Sequence, residues 1–245
     1  MKKESASQTA QAAAAIRAYD NLANQPPIFH DAYALMMTSP AWQLLLSNKA
    51  LLRVFKTQMF HRTFGLLVTQ VAARSLYNED WLFEALDRGV KQYVMIGAGL
   101  DSFALRAAAH YPDVKIYELD HPDTQALKIK TLSQLGEIPA NVEFIPINFE
   151  VEKISDALQR SSYDVKELGF FSWLGTTHYL KPETTLSTLR DLAAFAASES
   201  EIVFDYSIPY QNLQGFERFG TMALSQVTHF LNEPIIGFFD TEHLH

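Results

Sequence analysis

Two glycines follow a short apolar segment in the middle of the chain, where they would let a backbone loop approach a ligand closely. Gly97 and Gly99 come directly after Tyr93–Ile96, and glycine allows a tight turn with no side chain in the way. A dinucleotide fingerprint needs a third glycine, but Ser102 occupies that position. Asp101 stands where a pyrophosphate would lie, and its carboxylate would repel phosphate and favour a cationic ligand. The motif predicts a ligand loop without specifying the ligand.

An acidic residue ends the next β-like segment. Asp120 follows Val114–Leu119 and stands about 20 residues beyond Gly99, the spacing at which a carboxylate meets the hydroxyls of a ribose. Nicotinamide cofactors and S-adenosylmethionine both contain a ribose. The spacing therefore leaves both classes of cofactor open.

The composition excludes several kinds of site and partner. The chain of 245 residues has no cysteine, which excludes a disulfide framework, a thiolate zinc site and a cysteine nucleophile. The histidines lack metal-ligand spacing, so we expect no metal. A net charge of −8 argues against a nucleic-acid partner. Without an apolar signal segment or a membrane-length apolar stretch, the sequence indicates a cytoplasmic protein with no membrane partner.

The chain divides into two compositional regions. Residues 1–90 have a helical pattern, beginning with the alanine-rich Ala6–Ala23. From residue 91 onward, short β-forming segments alternate with helical ones, as successive βα units require. The predicted strands are Tyr93–Ile96, Val114–Leu119, Val142–Ile147, Phe170–Trp173 and Ile202–Tyr206. We expect one integrated α/β domain, with a doubly wound, mostly parallel sheet over residues 91–245 and a helical N-terminal cap region over residues 1–90.

Several helices are predicted around these strands. Asn78 is a plausible N-cap for a helix over Glu79–Arg88, and further helices are expected over Thr124–Leu135, Pro182–Phe195 and Gln211–Leu231. Few residues follow the fifth predicted strand, so the late strands of such a sheet are expected to be missing. An unfinished sheet edge favours pairing with another chain, which makes a homodimer the expected assembly.

Three longer stretches resemble one enzyme family. They are Tyr93–Arg106 (YVMIGAGLDSFALR), Tyr117–Pro122 (YELDHP) and Phe171–Glu183 (FSWLGTTHYLKPE). Together, and in this order, they resemble motifs of the leucine carboxyl methyltransferase family, which includes bacterial polyketide-type O-methyltransferases. The resemblance covers about residues 10 to 240. It implies a Rossmann-like class I fold and S-adenosylmethionine as the cofactor.

The resemblance also implies roles for single residues. Asp120 would hold the ribose hydroxyls, and Arg74 would pair with the methionine carboxylate, with Arg17 as a weaker second basic contact. Where the family's third strand ends in Asp-Leu near the adenine, this chain has Asn148 and Phe149. The complete set of cofactor-binding candidates is Arg74, Gly97, Gly99, Asp120, Asn148 and Phe149.

The methyl acceptor decides which catalytic groups are needed. A carboxylate acceptor needs no general base, whereas a hydroxyl acceptor benefits from a base with a pKa near neutrality. His178 is the candidate for the general base or for a residue that orients the acceptor, and Tyr179 and Tyr206 are candidates for orienting an acceptor oxygen. The expected enzyme is an O-methyltransferase acting on a carboxylate or hydroxyl of a small molecule or peptide.

Two other classes of function stay open. A nicotinamide-dependent oxidoreductase would use a similar sheet, although Asp101 and Ser102 argue against it. A non-catalytic protein that retains the cofactor pocket is the other alternative. Fold resemblance alone does not choose among them.

Overall fold

The core of the protein is a parallel β-sheet. A computed structural model describes residues 5–209 and 235–239, and within these ranges the sheet has five strands in the order β3-β2-β1-β4-β5, all neighbours being parallel. The strands are β1 Gln92–Ile96, β2 Lys115–Asp120, β3 Val142–Pro146, β4 Gly169–Trp173 and β5 Glu201–Phe204. The predicted strands are confirmed to within one or two residues, the largest difference being that β5 ends before Asp205.

The helices pack on both faces of the sheet. They are α1 Ser5–Ala23, α2 Pro40–Ser47, α3 Lys49–Phe55, α4 Gln58–Asp87, α5 Phe103–Arg106, α6 Pro122–Leu135, α7 Ile154–Gln159 and α8 Pro182–Phe195. Short 3-10 turns lie at Ala108–His110 and Thr177–Tyr179. This arrangement confirms the predicted doubly wound α/β fold. The described residues contain no helix that is both long and apolar enough to cross a membrane.

Alternating side chains of the strands form two cores. Tyr93, Ile116 and Phe170 face α4 and α5, whereas Val94 and Phe171 belong to the core under α7 and α8. β1 and β4 are buried along their whole length, as expected of central strands in a parallel sheet with helices on both faces. Burial on both faces explains why these segments are almost continuously apolar in sequence.

The predicted start of a helix at Asn78 is wrong. α4 runs without interruption from Gln58 to Asp87, and Asn78 lies in its interior. Its amide nitrogen donates to the hydroxyl of Tyr93 at 3.0 Å, and that hydroxyl lies 3.0 Å from Ser172 Oγ. In sequence, an asparagine inside a helix that bonds to the sheet looks the same as an asparagine that caps a helix. Here the contacts with Tyr93 favour the interior position.

The expectation of helix throughout the first 90 residues also needs correction, because residues 24–39 form turns. Two side chains of α1 hold the start of this segment. Asp20 accepts a hydrogen bond from the Phe29 backbone at 2.9 Å, and Asn21 donates to the Phe29 carbonyl at 2.8 Å. The predicted helix over Gln211–Leu231 lies outside the described residues, as do the positions of late strands. The division at residue 90 stays a prediction.

Candidate functional site

The loops that follow the five strands meet at one edge of the sheet. β2 and β4 lie on opposite sides of β1, so the chain leaves β1 and β4 in opposite directions at this point. In open α/β sheets the ligand binds at this switch point, beyond the carboxyl ends of the strands. Gly97 and Gly99 follow β1, Asp120 ends β2 and Asn148 follows β3 at this edge, as the sequence predicted.

The glycine loop after β1 requires both glycines. Gly97 has φ +70° and Gly99 has φ +51°, conformations that L-residues with side chains rarely adopt. A Cβ at position 97 would lie 2.7 Å from Thr176 Cγ2, and one at position 99 would lie 3.5 Å from Ala10 Cβ. The loop is therefore held between the segment after β4 and helix α1.

Asp120 joins the glycine loop to the end of β2. Its Oδ2 accepts a hydrogen bond from the Gly99 backbone at 2.5 Å, and its Oδ1 accepts one from the His121 backbone at 2.6 Å. Burial raises the pKa of Asp120, and these two N–H donors oppose the rise. A carboxylate oxygen has more than one acceptor position, so Asp120 retains capacity for ligand hydroxyls.

The two adenine candidates follow β3. Asn148 Oδ1 accepts a hydrogen bond from the Glu150 backbone at 3.0 Å, which leaves the amide nitrogen to donate to a ligand. Phe149 is 40% exposed although it is aromatic. An exposed ring beside a polar amide suits the face and edge of a purine. The Ile147 backbone donates to the Asp120 carbonyl at 2.9 Å, which places this pair next to the ribose candidate.

Arg74 reaches the same edge from α4. Its Nη1 donates to Asp205 Oδ2 at 2.9 Å, and its Nη2 lies 2.6 Å from where a Cβ on Gly175 would stand. Gly175 has φ +72° and its backbone donates to Asp205 Oδ1 at 2.7 Å. Because a guanidinium carries five N–H donors in a fork, pairing with Asp205 leaves donors for a second carboxylate.

His178 is held by partners on both ring nitrogens. Its Nε2 lies 3.1 Å from Asp205 Oδ2 and its Nδ1 lies 2.7 Å from Ser207 Oγ. Burial opposes ionisation of Asp205, but the hydrogen bond with His178 and the charge of Arg74 outweigh it and lower the pKa of Asp205 to about 2. Tyr179 packs edge-on against the imidazole, with ring centroids 6.3 Å apart.

Arg17 belongs to a buried ionic cluster below the glycine loop. It donates to Asp31 Oδ2 at 3.0 Å and to the Leu100 carbonyl at 2.8 Å, and its side chain is 7% exposed. Asp31 also accepts from Ser102 at 2.6 Å, and Arg106 donates to Ser102 at 2.7 Å. These contacts give Arg17 a structural role that positions the loop. They also explain the serine where a dinucleotide loop has glycine.

Sequence reasoning missed three residues of this edge, namely Asp205, Ser207 and Thr176. Asp120 is the last residue of β2 and Asp205 comes directly after β5, so the rule that an acidic residue at a strand end contacts the ligand, which identified Asp120, would also have identified Asp205. Thr176 Oγ1 is buried and has no hydrogen-bond partner among the described residues. An unpartnered buried hydroxyl is costly, and a polar ligand beside the glycine loop would satisfy it.

The described residues contain no group of side chains arranged to hold a metal ion. A glycine loop and an acidic strand end at the switch point of a parallel sheet define the Rossmann-like class of nucleotide-binding proteins. Two solved structures share the fold. A DUF574 family protein from Streptomyces avermitilis aligns with TM-score 0.60 and 12% identity over 93% of this chain and 79% of that one. A protein from Thermobifida fusca, provisionally titled a methyltransferase, aligns with TM-score 0.53 and 15% identity over 91% of this chain and 74% of that one.

Sequence comparison gives the family. Residues 10–193 match the family described as leucine carboxyl methyltransferase. YktD of Bacillus subtilis, provisionally named an S-adenosyl-L-methionine-dependent methyltransferase, is 30% identical over 84% of this chain and 73% of its own length. A Mycolicibacterium gilvum protein with the same provisional name is 29% identical over 75% of this chain and 61% of its own length. The chain belongs to the leucine carboxyl methyltransferase family. This confirms the predicted class, the S-adenosylmethionine-dependent methyltransferases.

Proposed function

We propose that this protein transfers the methyl group of S-adenosylmethionine to an oxygen atom, a carboxylate or hydroxyl, of a small molecule or peptide. The observation that carries the proposal is the Asp120 carboxylate, which binds the Gly99 backbone and so lies between the glycine loop and the end of β2. A ribose bound there would have an acceptor for its hydroxyls. Membership of the family supplies the reaction class.

The remaining contacts of the cofactor follow from the charges at the edge. Arg74 would pair with the methionine carboxylate, while Asp205 keeps the guanidinium in place. Asn148 and Phe149 would hold the adenine by its edge and face. The Thr176 hydroxyl, which has no hydrogen-bond partner in the described part of the chain, supports a polar ligand at the glycine loop. When bound, the cofactor supplies a sulfonium methyl group, and the protein's task is to position the acceptor oxygen and exclude water.

The same edge argues against a nicotinamide cofactor. Burial opposes ionisation of Asp101, but nearby Arg17, Arg106 and Lys128 outweigh it and lower the pKa of Asp101. An ionised carboxylate in the glycine loop disfavours a pyrophosphate. Ser102, at the position of the third glycine, is fully buried and bonded to Asp31.

Calorimetric titration with S-adenosylmethionine, S-adenosylhomocysteine and NAD, each in a separate run, tests the proposal. We expect the first two to bind with dissociation constants of about micromolar, equivalent to roughly −8 kcal/mol, and NAD not to bind. Binding of NAD alone would overturn the proposed methyltransferase function. Binding of none of the three would favour a protein that no longer uses the pocket.

A further inference from the structure

Three residues at the ends of β4 and β5 form a chain of hydrogen bonds that the cofactor contacts do not explain. Ser207 Oγ lies 2.7 Å from His178 Nδ1, and His178 Nε2 lies 3.1 Å from Asp205 Oδ2. A hydroxyl, a base and a carboxylate that orients the base make up the arrangement by which proteins move a proton from one oxygen. The polarity of the ring is reversed relative to the serine-protease triad, since here the carboxylate meets Nε2.

The contacts determine which ring nitrogen carries the proton. An ionised carboxylate only accepts hydrogen bonds, and Asp205 is held ionised by Arg74 at 2.9 Å. His178 Nε2 must therefore donate. In the neutral ring Nδ1 is then the basic nitrogen, and the Ser207 hydroxyl must donate to it. This leaves the lone pairs of Ser207 Oγ to accept a hydrogen bond from a further hydroxyl group.

Burial and existing hydrogen bonds determine which of the three hydrogen-bonded residues a methyl acceptor can approach. The His178 side chain is 9% exposed, with both ring nitrogens engaged, so an acceptor molecule cannot reach the imidazole directly. Ser207 is only partly buried among the described residues. Two backbone groups fix the histidine turn, because Ile236 and Gly237 both donate to the His178 carbonyl at 2.9 Å. Asp205 is also partly buried, but its carboxylate oxygens are already bonded to Arg74, Gly175 and His178. Ser207 is therefore the member of the hydrogen-bond chain that an acceptor hydroxyl can approach.

We propose that the methyl acceptor is a hydroxyl group, alcohol or phenol, and that Ser207, His178 and Asp205 carry its proton away. This inference rests on the proposed methyltransferase function. The acceptor gives its proton to Ser207 Oγ, and Ser207 gives its own proton to His178 Nδ1. The acceptor oxygen bonds to the methyl carbon as the carbon–sulfur bond breaks, which yields a methyl ether and the neutral thioether S-adenosylhomocysteine. The released proton stays on the imidazolium, beside Asp205, until it passes to solvent.

A carboxylate acceptor would have no use for a path that removes a proton through Ser207, His178 and Asp205. Carboxyl groups are already ionised at about neutral pH, so methyl transfer to them releases no proton to the protein. Among the described residues, Asp205 after β5 contacts the imidazole directly, and Tyr179 from the same turn packs against it. Arg74 from α4 acts on the imidazole through its ion pair with Asp205.

Nitrogen NMR of the histidine-labelled protein without cofactor tests the protonation pattern. The signal of His178 is identified as the one that His178→Gln removes. We expect the neutral ring to carry its proton on Nε2 and to show a hydrogen-bonded Nδ1 that changes in Ser207→Ala. A ring protonated on Nδ1 instead would overturn the proposal.

The class of the product tests the acceptor. The protein is incubated with S-adenosylmethionine carrying a deuterated methyl group and with a small-molecule cell extract, and labelled products are treated with mild alkali. Methyl esters release labelled methanol under these conditions, whereas methyl ethers survive. We expect alkali-stable products. If the cofactor binds but no alkali-stable product forms, the hydroxyl inference fails while the cofactor assignment stands. If the cofactor does not bind, the proposed function itself fails.

Two variants separate a proton path from a structural link. Ser207→Ala and His178→Gln should each reduce turnover at about neutral pH by about 10² to 10⁴, the usual range for general base catalysis, with cofactor affinity unchanged. With a phenol as acceptor, turnover should recover as the pH is raised towards about 10, because a phenol then ionises without help; an alcohol does not ionise in this range, so its loss should persist. Ser207→Thr, which keeps the hydroxyl, should retain activity, and Ser187→Ala on the exposed face of α8 is the matched control. Wild-type turnover at neutral pH in Ser207→Ala or His178→Gln would contradict the proposal.

Discussion

Asp205 accepts hydrogen bonds from three separate parts of the chain. Gly175 follows β4, Arg74 belongs to α4 and His178 lies in a 3-10 turn. The side chain of Asp205 is 16% exposed, so these interactions are only partly screened by solvent. One carboxylate thereby fixes both the cation proposed to bind the cofactor and the base proposed to take the acceptor's proton.

The pH dependence of stability follows from this carboxylate. The pKa of Asp205 is about 2 in the folded protein, below the usual 3.8 of an aspartate. Ionised Asp205 therefore stabilises the fold above about pH 4, and this stabilisation is lost as the pH falls towards 2. We expect Asp205→Asn to lower the free energy of unfolding by about 2 kcal/mol at neutral pH, because one pKa unit corresponds to about 1.4 kcal/mol. Urea denaturation across this range measures the difference from wild type. A difference that stays constant with pH would contradict the assignment.

Gly97 gives a second prediction at the scale of single residues. Gly97→Ala combines a strained φ of +70° with a Cβ 2.7 Å from Thr176, and we expect it to cost about 1–3 kcal/mol and to abolish measurable cofactor binding. Gly89→Ala is the matched control, because its φ is +101° but no atom of residues 5–209 or 235–239 lies within 4 Å of the new Cβ. It should cost stability alone. Equal loss of S-adenosylhomocysteine binding in both variants, measured by calorimetry, would show that the contact with Thr176 is unimportant.

At the scale of elements, a buried ion pair ties α6 to β2. Lys128 Nζ lies 2.5 Å from Glu118 Oε2, with both side chains 1% exposed. Burial raises the pKa of Glu118, and the charge of Lys128 opposes the rise. Such a pair contributes little net stability, yet removing one partner leaves a buried charge uncompensated.

We expect Lys128→Met to destabilise the protein by about 3–5 kcal/mol, and the double variant Lys128→Met with Glu118→Leu to recover most of that loss. Chemical denaturation of the wild type, both single variants and the double variant gives the four free energies of unfolding that this double-mutant cycle needs. A double variant as unstable as Lys128→Met would show that the ammonium contributes packing or other contacts beyond its pairing with Glu118.

At the scale of the whole molecule, the N-terminal helices share a core with the sheet domain. Ala14 of α1, Leu100 of the glycine loop and Leu132 of α6 belong to one buried cluster. Arg17 adds hydrogen bonds from α1 to the same loop. We therefore expect the two regions to unfold together.

Tryptophan fluorescence measures this cooperativity. The chain has three tryptophans: Trp42 and Trp81 lie in the helical region, and Trp173 lies in β4. In urea, Trp173→Phe reports on the helices and a variant with Trp42 and Trp81 replaced by Phe reports on the sheet. Each variant's fluorescence transition should coincide with its own circular-dichroism transition, as two-state unfolding requires. A separate early transition of the helical region would contradict a single integrated domain.

Local sequence patterns predicted the parts of this architecture that depend on neighbouring residues. Continuous apolar segments indicated the strands, and the residues at the ends of β1, β2 and β3 were placed correctly at the sheet edge. Arg74 and Asp205 are 131 positions apart, and nothing local to either residue shows that they pair. Asn78 was misread because an interior asparagine bonded to Tyr93 looks like a cap. What the sequence left undetermined was therefore the long-range polar pairing.

Calorimetry with S-adenosylhomocysteine tests most directly whether the carboxylate of Asp120, at the end of β2, binds the ribose of S-adenosylmethionine. We expect Asp120→Ala to weaken binding by about tenfold to a hundredfold, because a hydrogen bond to a charged group contributes roughly 1.5–3 kcal/mol. Asp120→Asn, which keeps one acceptor oxygen, should lie between, and exposed Asp113→Asn before β2 should bind as wild type. Unchanged affinity in a folded Asp120→Ala protein would contradict the account.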